Sequence, residues 1–477
     1  MMRALFTGVS GMRAHQTRMD VIGNNIANVN TVAYKSSNVS FSELLYQTTQ
    51  GASGPNNDTN RGGKNPMQVG LGVKVGAINT NITQQGATQT TNNPFDLQIN
   101  GDSFFIVNDG KSNCFTRAGA FCVDADGNLV MTSNGYKVMG WQEDENNPGT
   151  IQKDTVSPLK ILSDNKRTSE PEATKEGYIS GIIDKNSDNL SSENGQMVNI
   201  PFYDNLGYSY NAKYSMYNTD KDGNKLEDGI YRMELKDVID KDGKSITSEG
   251  GNLEDFVSIN NNGANTIYAK YDKENGSFIG YWNSVEKPSN YDDDTNFISN
   301  ENADNKISMK FDTNKNPNFT DNININLKNS KMYNNNSVST IAGHAGDYNG
   351  NYAGKKIGTM SGVSIQQDGK IYATYDNGTS KLLGQIAVAN FANPSGLEKL
   401  GDNLYQTTQN SGAFDGIGED ITASGSGSFT TGALEMSNVD LSAEFTDMII
   451  TQRGFQANSR IITVADSMLE EVLNIKR

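Results

Sequence analysis

A chain of 477 residues exceeds the roughly 250–300 residues that one hydrophobic core usually organises, so several domains are expected. A net charge of −16 excludes the basic footprint of a nucleic-acid binder, and no run approaches the ~20 apolar residues of a membrane span. The two cysteines, Cys114 and Cys122, are too few for a disulfide scaffold, and with only His15 and His344 beside them they make no zinc set.

Taken in chain order, residues 1–30 read as a helix. Leu5, Met12, Met19 and Ile26 form an apolar lane with a repeat of seven, and Met2 and Val9 begin a partner lane that fails at Gln16 and Gly23. An Asn-rich run from Asn24 should stop the helix near Asn28, because Asn side chains compete for backbone hydrogen bonds. Residues 31–70 read as an extended, irregular arm with a Gly/Asn/Pro-rich stretch between Gly51 and Pro66. Residues 71–145 read as β. Ser103 to Val107 and Phe121 to Val123 are strands, and Asn100-Gly101, Asp126-Gly127 and Asn134-Gly135 are hairpin signals.

Residues 146–350 turn rich in Asn, Asp, Lys, Ser and Gly, yet short alternating strands such as Gly229 to Leu235 recur, with turn pairs at Asp222-Gly223, Asp242-Gly243 and Asn262-Gly263. This predicts an inserted outer β region. Residues 351–430 return to the first β style and end in a Gly/Ser hinge, Ser424 to Ser428. Residues 431–477 form a second helix with an unbroken lane of Leu441, Met448, Phe455, Ile462 and Leu469, and a partner lane that opens on Phe445 and closes on Leu473. The expected fold is multidomain α+β: coiled-coil-like terminal helices packed together, with nested all-β domains between them.

No catalytic, cofactor or metal site is expected. Asp124-Ala-Asp126-Gly127-Asn128 and Asp220-Lys-Asp222-Gly223-Asn224 resemble calcium loops, but an EF-hand needs its Gly sixth and a Glu twelfth, so hairpin turns are the better reading. Gly70-Leu-Gly72-Val-Lys74-Val-Gly76 lacks a phosphate-loop fingerprint, and glycines in strands more often mark close backbone approach. For Cys114 and Cys122, a disulfide and two buried thiols both fit the spacing.

Three segments resemble bacterial flagellar rod and hook axial proteins. Ser10 to Thr31 is similar to their N-terminal signature, most specifically through Asn25, Asn28, Asn30 and Thr31. Ser437 to Arg460 is similar to their C-terminal helix, and Asp96 to Val107 with Phe115 to Phe121 is similar to their first β domain. The length favours the hook branch over the shorter distal-rod proteins. A hook-associated protein and, more remotely, a secreted β-rich adhesin or enzyme are the alternatives. Two residues depart from the family pattern. Ala33 stands where Gly is frequent, which puts a positive-φ requirement there in doubt, and Gly454 stands where Ala is common.

The resemblance implies a non-enzymatic structural subunit of a helical tube, the flexible universal joint between rod and filament in motility. It implies many copies of this chain as partners, with rod and hook-associated axial proteins, the hook cap and the flagellar type III export apparatus. It places the protein in the flagellum, outside the cell, after export without a cleaved signal peptide. Within it, Leu5, Val9, Met12, Met19 and Ile26 are the expected N-terminal assembly seam. Leu441, Phe445, Met448, Phe455, Ile462, Leu469 and Leu473 are the expected C-terminal one.

Overall fold

The computed structural model describes residues 2–55, 62–144, 147–247, 252–259, 265–284, 297–299, 306–313, 317–319, 322–422 and 427–475. The chain divides into two compact units. One comprises Met1–Lys166, Gly362–Thr374 and Ser380–Arg477, and the other comprises Arg167–Ser361 and Tyr375–Thr379. Helices α1 (Met2–Ala27) and α2 (Leu441–Ile475) stand at the two ends, with strands between them. Neither is long and apolar enough to cross a membrane.

The insertion therefore starts at Arg167 and runs to Ser361, not from 146 to 350. Composition misplaced the edge for a local reason. The polar stretch after Gln142 is a hairpin of the first unit, closed by Glu143 against Ile151 and by the Gly149 N–H donating to the Glu143 carboxylate at 2.8 Å.

The arm of residues 31–70 is also more regular than expected. It holds β1 (Ser37–Glu43), β2 (Tyr46–Gln50) and β3 (Met67–Gly70), followed by β4 (Val73–Thr80). β1 and β4 pair antiparallel from Ser37 opposite Thr80 to Glu43 opposite Val73, and β2 pairs with β3. Both faces of β2 and β3 are exposed, so these strands lack the apolar alternation that would announce them. Part of the Gly/Asn/Pro-rich stretch (56–61), part of the Gly/Ser hinge (423–426) and the Asn262-Gly263 turn lie outside the described residues.

The first unit is organised around a central strand, Phe104–Asn108, which pairs with Asn113–Thr116 on one side and Lys137–Gln142 on the other. It is buried on both faces and therefore reads as a continuous apolar run. Phe104 and Ile106 point into a core with Phe115, Trp141 and Tyr405, while Phe105 meets Phe121 and Phe429 on the opposite face.

The second unit packs a five-stranded sheet against a six-stranded one. Ile179 and Ile325 from the first and Val198, Ile200 and Phe202 from the second share one core. The strand Gln196–Tyr203 shows the cause: every second residue from Val198 to Phe202 is buried and the intervening ones are exposed.

The Asp-x-x-Gly loops are hairpin turns. Asp124 accepts the Asn128 N–H at 2.6 Å, and Asp220 accepts the Asp222 and Asn224 N–H groups at 3.0 and 2.8 Å. The glycine in each has positive φ, +83° at Gly127 and +84° at Gly223. These carboxylates serve their own loop backbone, and among the described residues no group of His, Cys, Asp and Glu is arranged to hold a metal.

Two turns of the first unit give a quantitative test. Gly127 and Gly135 both have positive φ, but a Cβ at Gly127 would lie 2.1 Å from the Leu162 carbonyl oxygen, whereas Gly135 faces open space. Gly135→Ala should cost about 1–2 kcal/mol of backbone strain. Gly127→Ala should cost clearly more, because the backbone must shift. Urea unfolding of the two variants should rank them in that order, and equal midpoints would contradict the packing described here.

Candidate assembly site at the paired termini

α1 and α2 run antiparallel. Ascending positions on α1 meet descending ones on α2: Gly8 lies against Ile462, Gly11 against Asn458 and His15 against Gly454. Further along, Arg18 pairs with Asp447 at 2.8 Å and Asn25 donates to Glu444 at 2.8 Å. On α1 the inward positions Gly8, Gly11, His15, Arg18, Ile22 and Asn25 repeat by three and four, as a helix-pair seam requires. Their residue types set the separation. A Cβ at Gly11 would lie 2.7 Å from the Asn458 amide, and one at Gly454 would lie 2.7 Å from His15 Nε2. Small residues let the two backbones approach, and the Gly454 position is occupied by the imidazole ring.

Of the lanes chosen for apolarity, Ile462 takes part in this contact, against Gly8, and the others lie at its border or outside it. Leu5, Met12, Met19 and Ile26 are half-buried and Val9 is exposed; none belongs to the buried set of α1, which is Gly8, Gly11, Ala14, Ile22 and Asn25. On α2, Met448, Phe455, Ile462 and Leu469 are half-buried. Leu441 and Phe445 are exposed, at 39% and 50%. The Leu473 side chain lies outside the described residues. Instead of the lane of Phe445, the α2 seam is completed by Glu444, Thr451, Asn458 and Ala465. Apolarity misplaced the partner lanes by one position because the contact is made by small and polar residues. A three-four repeat of Gly, His, Thr and Asn was the signal that could have found it.

Beyond the helices lies a joint between the chain ends. Asn25 is its hub. Its amide donates to the Ser37 carbonyl at 2.9 Å as well as to Glu444, and its Oδ1 accepts the Ser37 N–H at 3.0 Å and the Tyr34 hydroxyl at 3.2 Å. The other signature residues act locally. Asn28 donates to the Asn24 carbonyl at 3.0 Å and accepts from the Thr31 hydroxyl at 3.1 Å, which closes the end of α1, while Asn30 is exposed. Ala33 has φ +57°, so the left-handed conformation doubted from its Ala is present, and its N–H donates to the Glu435 carbonyl at 2.8 Å.

Next to it, Lys35 and Glu435 form an ion pair at 2.8 Å with both side chains fully buried. Lys35 also donates to the Gln84 carbonyl at 2.6 Å, and Glu435 also accepts the Gly86 N–H at 3.0 Å. Burial holds the Lys35 ammonium below its ordinary pKa, opposed by Glu435. Asn438 completes the joint, accepting the Ser36 N–H at 2.8 Å and donating to the Asn81 and Gln84 carbonyls. Two residues later in the chain, Asp440 caps α2, accepting the Ser442 N–H at 2.9 Å.

The cysteines are both free. Cys114 is buried and its thiol is pushed up by that burial and by Asp109. Cys122 is exposed, because in Phe121–Val123 it alternates with the buried Phe121. Neither a disulfide nor a pair of buried thiols describes them.

Two predictions follow from this geometry. Removing one member of a fully buried ion pair leaves the other charged and unpaired, so Lys35→Met should destabilise the first unit by roughly 3–5 kcal/mol. The double variant Lys35→Met/Glu435→Leu should recover most of that loss. Chemical denaturation of the two variants measures it, and a neutral Lys35→Met would remove the pair from the joint.

His15 supplies a pH dependence. Its pKa lies below the ordinary 6.5, first through burial and then through Arg18. The unfolded chain therefore takes up the proton first. The helix pair is at full strength above 6.5 and loses stability as pH falls below it. The groups facing the ring are Arg18, Gly454 and the edge of Phe41. Glu444, held above its ordinary pKa chiefly by burial, acts in the opposite sense at lower pH. Helix content followed from neutral pH to about pH 5.5 should fall in the natural chain and stay level in His15→Asn. Equal curves would contradict the buried neutral imidazole.

The comparisons with known proteins match this arrangement. Residues 5–35 match the family described as flagella basal body rod protein, and residues 98–169 match the flagellar hook protein FlgE/F/G D1 domain. Residues 430–475 match the flagellar basal body rod FlgEFG protein C-terminal family. The flagellar hook protein FlgE of Treponema pallidum is 34% identical over 496 residues, and that of Borreliella burgdorferi is 34% identical over 490. In both cases 100% of this chain and 100% of the relative are covered. A solved structure of Helicobacter pylori flagellar hook protein FlgE2 aligns with a TM-score of 0.39 and 14% identity, over 73% of this chain and 100% of that one. The two outer profiles fall on the paired helices and the joint, and full-length identity above 30% spans everything between them: the chain belongs to the flagellar hook protein family.

Proposed function

We propose that this chain builds the tube of the flagellar hook through the outward faces of its paired terminal helices. One observation carries the reading. After α1 and α2 have packed together, large apolar side chains remain exposed along both: Met2, Phe6 and Val9 on α1, and Ile449, Ile450, Ile461, Val464, Met468, Val472 and Ile475 on α2. Apolar rows of this length mark a surface that another molecule covers. A chain that repeats in a filament presents the same surface on every copy, and contacts that do not close into a ring extend it without limit. Leu441 and Phe445 belong to this outward set, and Met448, Phe455 and Leu469 border it.

The role is structural, and no catalytic group is needed for it. The second unit, rich in polar hairpin loops, supplies weak contacts that rearrange as the tube bends, the behaviour of a universal joint. The partners are further copies of this chain, the rod and hook-associated axial proteins at the two ends, the cap at the growing tip and the type III export apparatus that delivers the subunits to the flagellum.

Ile461→Asp tests the reading, because Ile461 is exposed and its replacement leaves both units folded. Electron microscopy of the purified variant should show loss of tubes, with an unchanged thermal unfolding of the monomer. A chain in which a short Gly/Ser linker replaces 167–361 should still form tubes, though stiffer ones. Normal tube yield from Ile461→Asp would overturn the helix-face reading.

A further inference from the structure

The inward face of α1 is covered by α2, but a second face is not. Along it runs an open groove of about 580 Å³ between α1 and the segment leading into β4. Phe6, Val9, Leu71, Val73 and Val75 line it. It is a built feature. Gly72, at φ +126°, brings the chain so near to α1 that a Cβ would lie 2.2 Å from Ser10 Oγ, and the Val73 N–H donates to that hydroxyl at 3.3 Å. The Leu44 N–H donates to the Gly72 carbonyl at 2.9 Å and fixes the far side. Within the glycine-rich run Gly70 to Gly76, Gly72 thus has its reason: it lays the groove floor against the helix, while Gly70 faces Tyr46 and Gly76 faces Ser40 and Ser42. The charged residues lining the groove are Arg3, Arg13 and Lys74, all cationic.

We propose that this groove receives the C-terminal end of α2 from a second copy of the chain. The proposal rests on the hook-tube reading above and assigns one specific contact within it. Three observations select this occupant. First, the end of α2 is left over. Ile462 lies beside Gly8, and α1 starts at Met2, so α2 runs past its partner by about two turns. Second, that end bears a matching apolar face: Val464, Met468, Val472 and Ile475 are exposed and spaced by four, four and three. The segment spans roughly 17 Å, within the roughly 21 Å of α1 between Arg3 and Thr17 that walls the groove. Third, the apolar face carries a carboxylate to meet the cationic rim. Residues 464–475 carry Asp466, Glu470 and Glu471, Lys476 and Arg477 follow, and Glu471 falls on the apolar face.

A chain cannot satisfy its own groove this way, because its rigid α2 leads away from it. Groove and helix end are different surfaces, so the contact is heterologous and leaves each new copy with a free end for the next.

Cross-linking within tubes tests the contact. In a Cys122→Ser background, one chain carries Val9→Cys and another carries Val472→Cys. The two are mixed, polymerised and treated with a bismaleimide. Covalent dimers are expected in tubes and absent from dilute monomer. Tubes of normal yield without dimers would overturn the groove assignment while the hook-tube reading stands. A natural chain that forms no tubes would overturn both. Charge reversal gives a second readout. Arg13→Glu is expected to lose tube growth, and Arg13→Glu/Glu471→Arg to regain it. Unimpaired growth of Arg13→Glu, or no recovery in the double variant when both monomers are folded, would overturn the proposal.

Discussion

The structure depends on a fully buried ion pair between residues 400 positions apart, Lys35 and Glu435. Such a pair is not by itself a source of stability, because taking both charges out of water offsets most of their attraction. Its consequence is registry. Any other alignment of the two chain segments leaves a charge in the core without its partner, which costs several kcal/mol. The segment after α1 and the segment before α2 are therefore held side by side in a single way. Asn438 and the Ala33 N–H act on the same alignment with neutral hydrogen bonds, and Asn25 with one to the Glu444 carboxylate. The two helices then leave the β unit already opposed.

That opposition explains why small residues form the seam. Once the joint fixes where the helices start, they need not find each other through bulky side chains. Gly8, Gly11 and Gly454 permit close approach, and the polar contacts of Arg18 with Asp447 and of Asn25 with Glu444 fix the antiparallel match. The result inverts the usual amphipathic arrangement. Small and polar groups lie inside the pair, and Phe6, Ile450 and Ile461 lie outside it. A pair built this way buries little apolar surface alone. In the tube proposed above, its large side chains would gain their burial from other copies, with the energetic drive in assembly and the geometry held by the single chain.

The sequence carried the architecture well where a residue's role is periodic or local. The end of α1 near Asn28, the continuous apolar run at Phe104 to Val107, and the hairpin turns at Asp124 and Asp220 all follow from short-range chemistry. The terminal signature was legible as a resemblance, but its mechanism was not. Nothing in the spacing of Asn25 announces that it meets Ser37 and Glu444, because those partners are brought together only by the fold. The contact between the two helices of one chain was not legible as apolarity, because glycine makes much of it. The strands β2 and β3 were missed because, exposed on both faces, they have no inner side to pattern. The insertion boundary slipped because a polar hairpin and a polar domain have the same composition.

Ala33 shows how strongly the joint imposes its geometry. A non-glycine residue in the left-handed region costs of order 1–3 kcal/mol and persists where its surroundings over-determine it. Here they do. The Ala33 N–H is taken by the Glu435 carbonyl, the Val32 carbonyl accepts from Asn403 at 2.8 Å, and the side chain is buried. The turn is needed because the chain must leave the end of α1, reverse, and enter β1 beside β4 while passing Lys35 inward to Glu435. A right-handed conformation at this point would continue the helical path and carry Lys35 away from its partner. The strain at Ala33 and the buried charge at Lys35 are thus consecutive costs of one requirement, that both termini emerge together from the same unit. The apolar faces proposed for assembly are presented side by side only when that requirement is met.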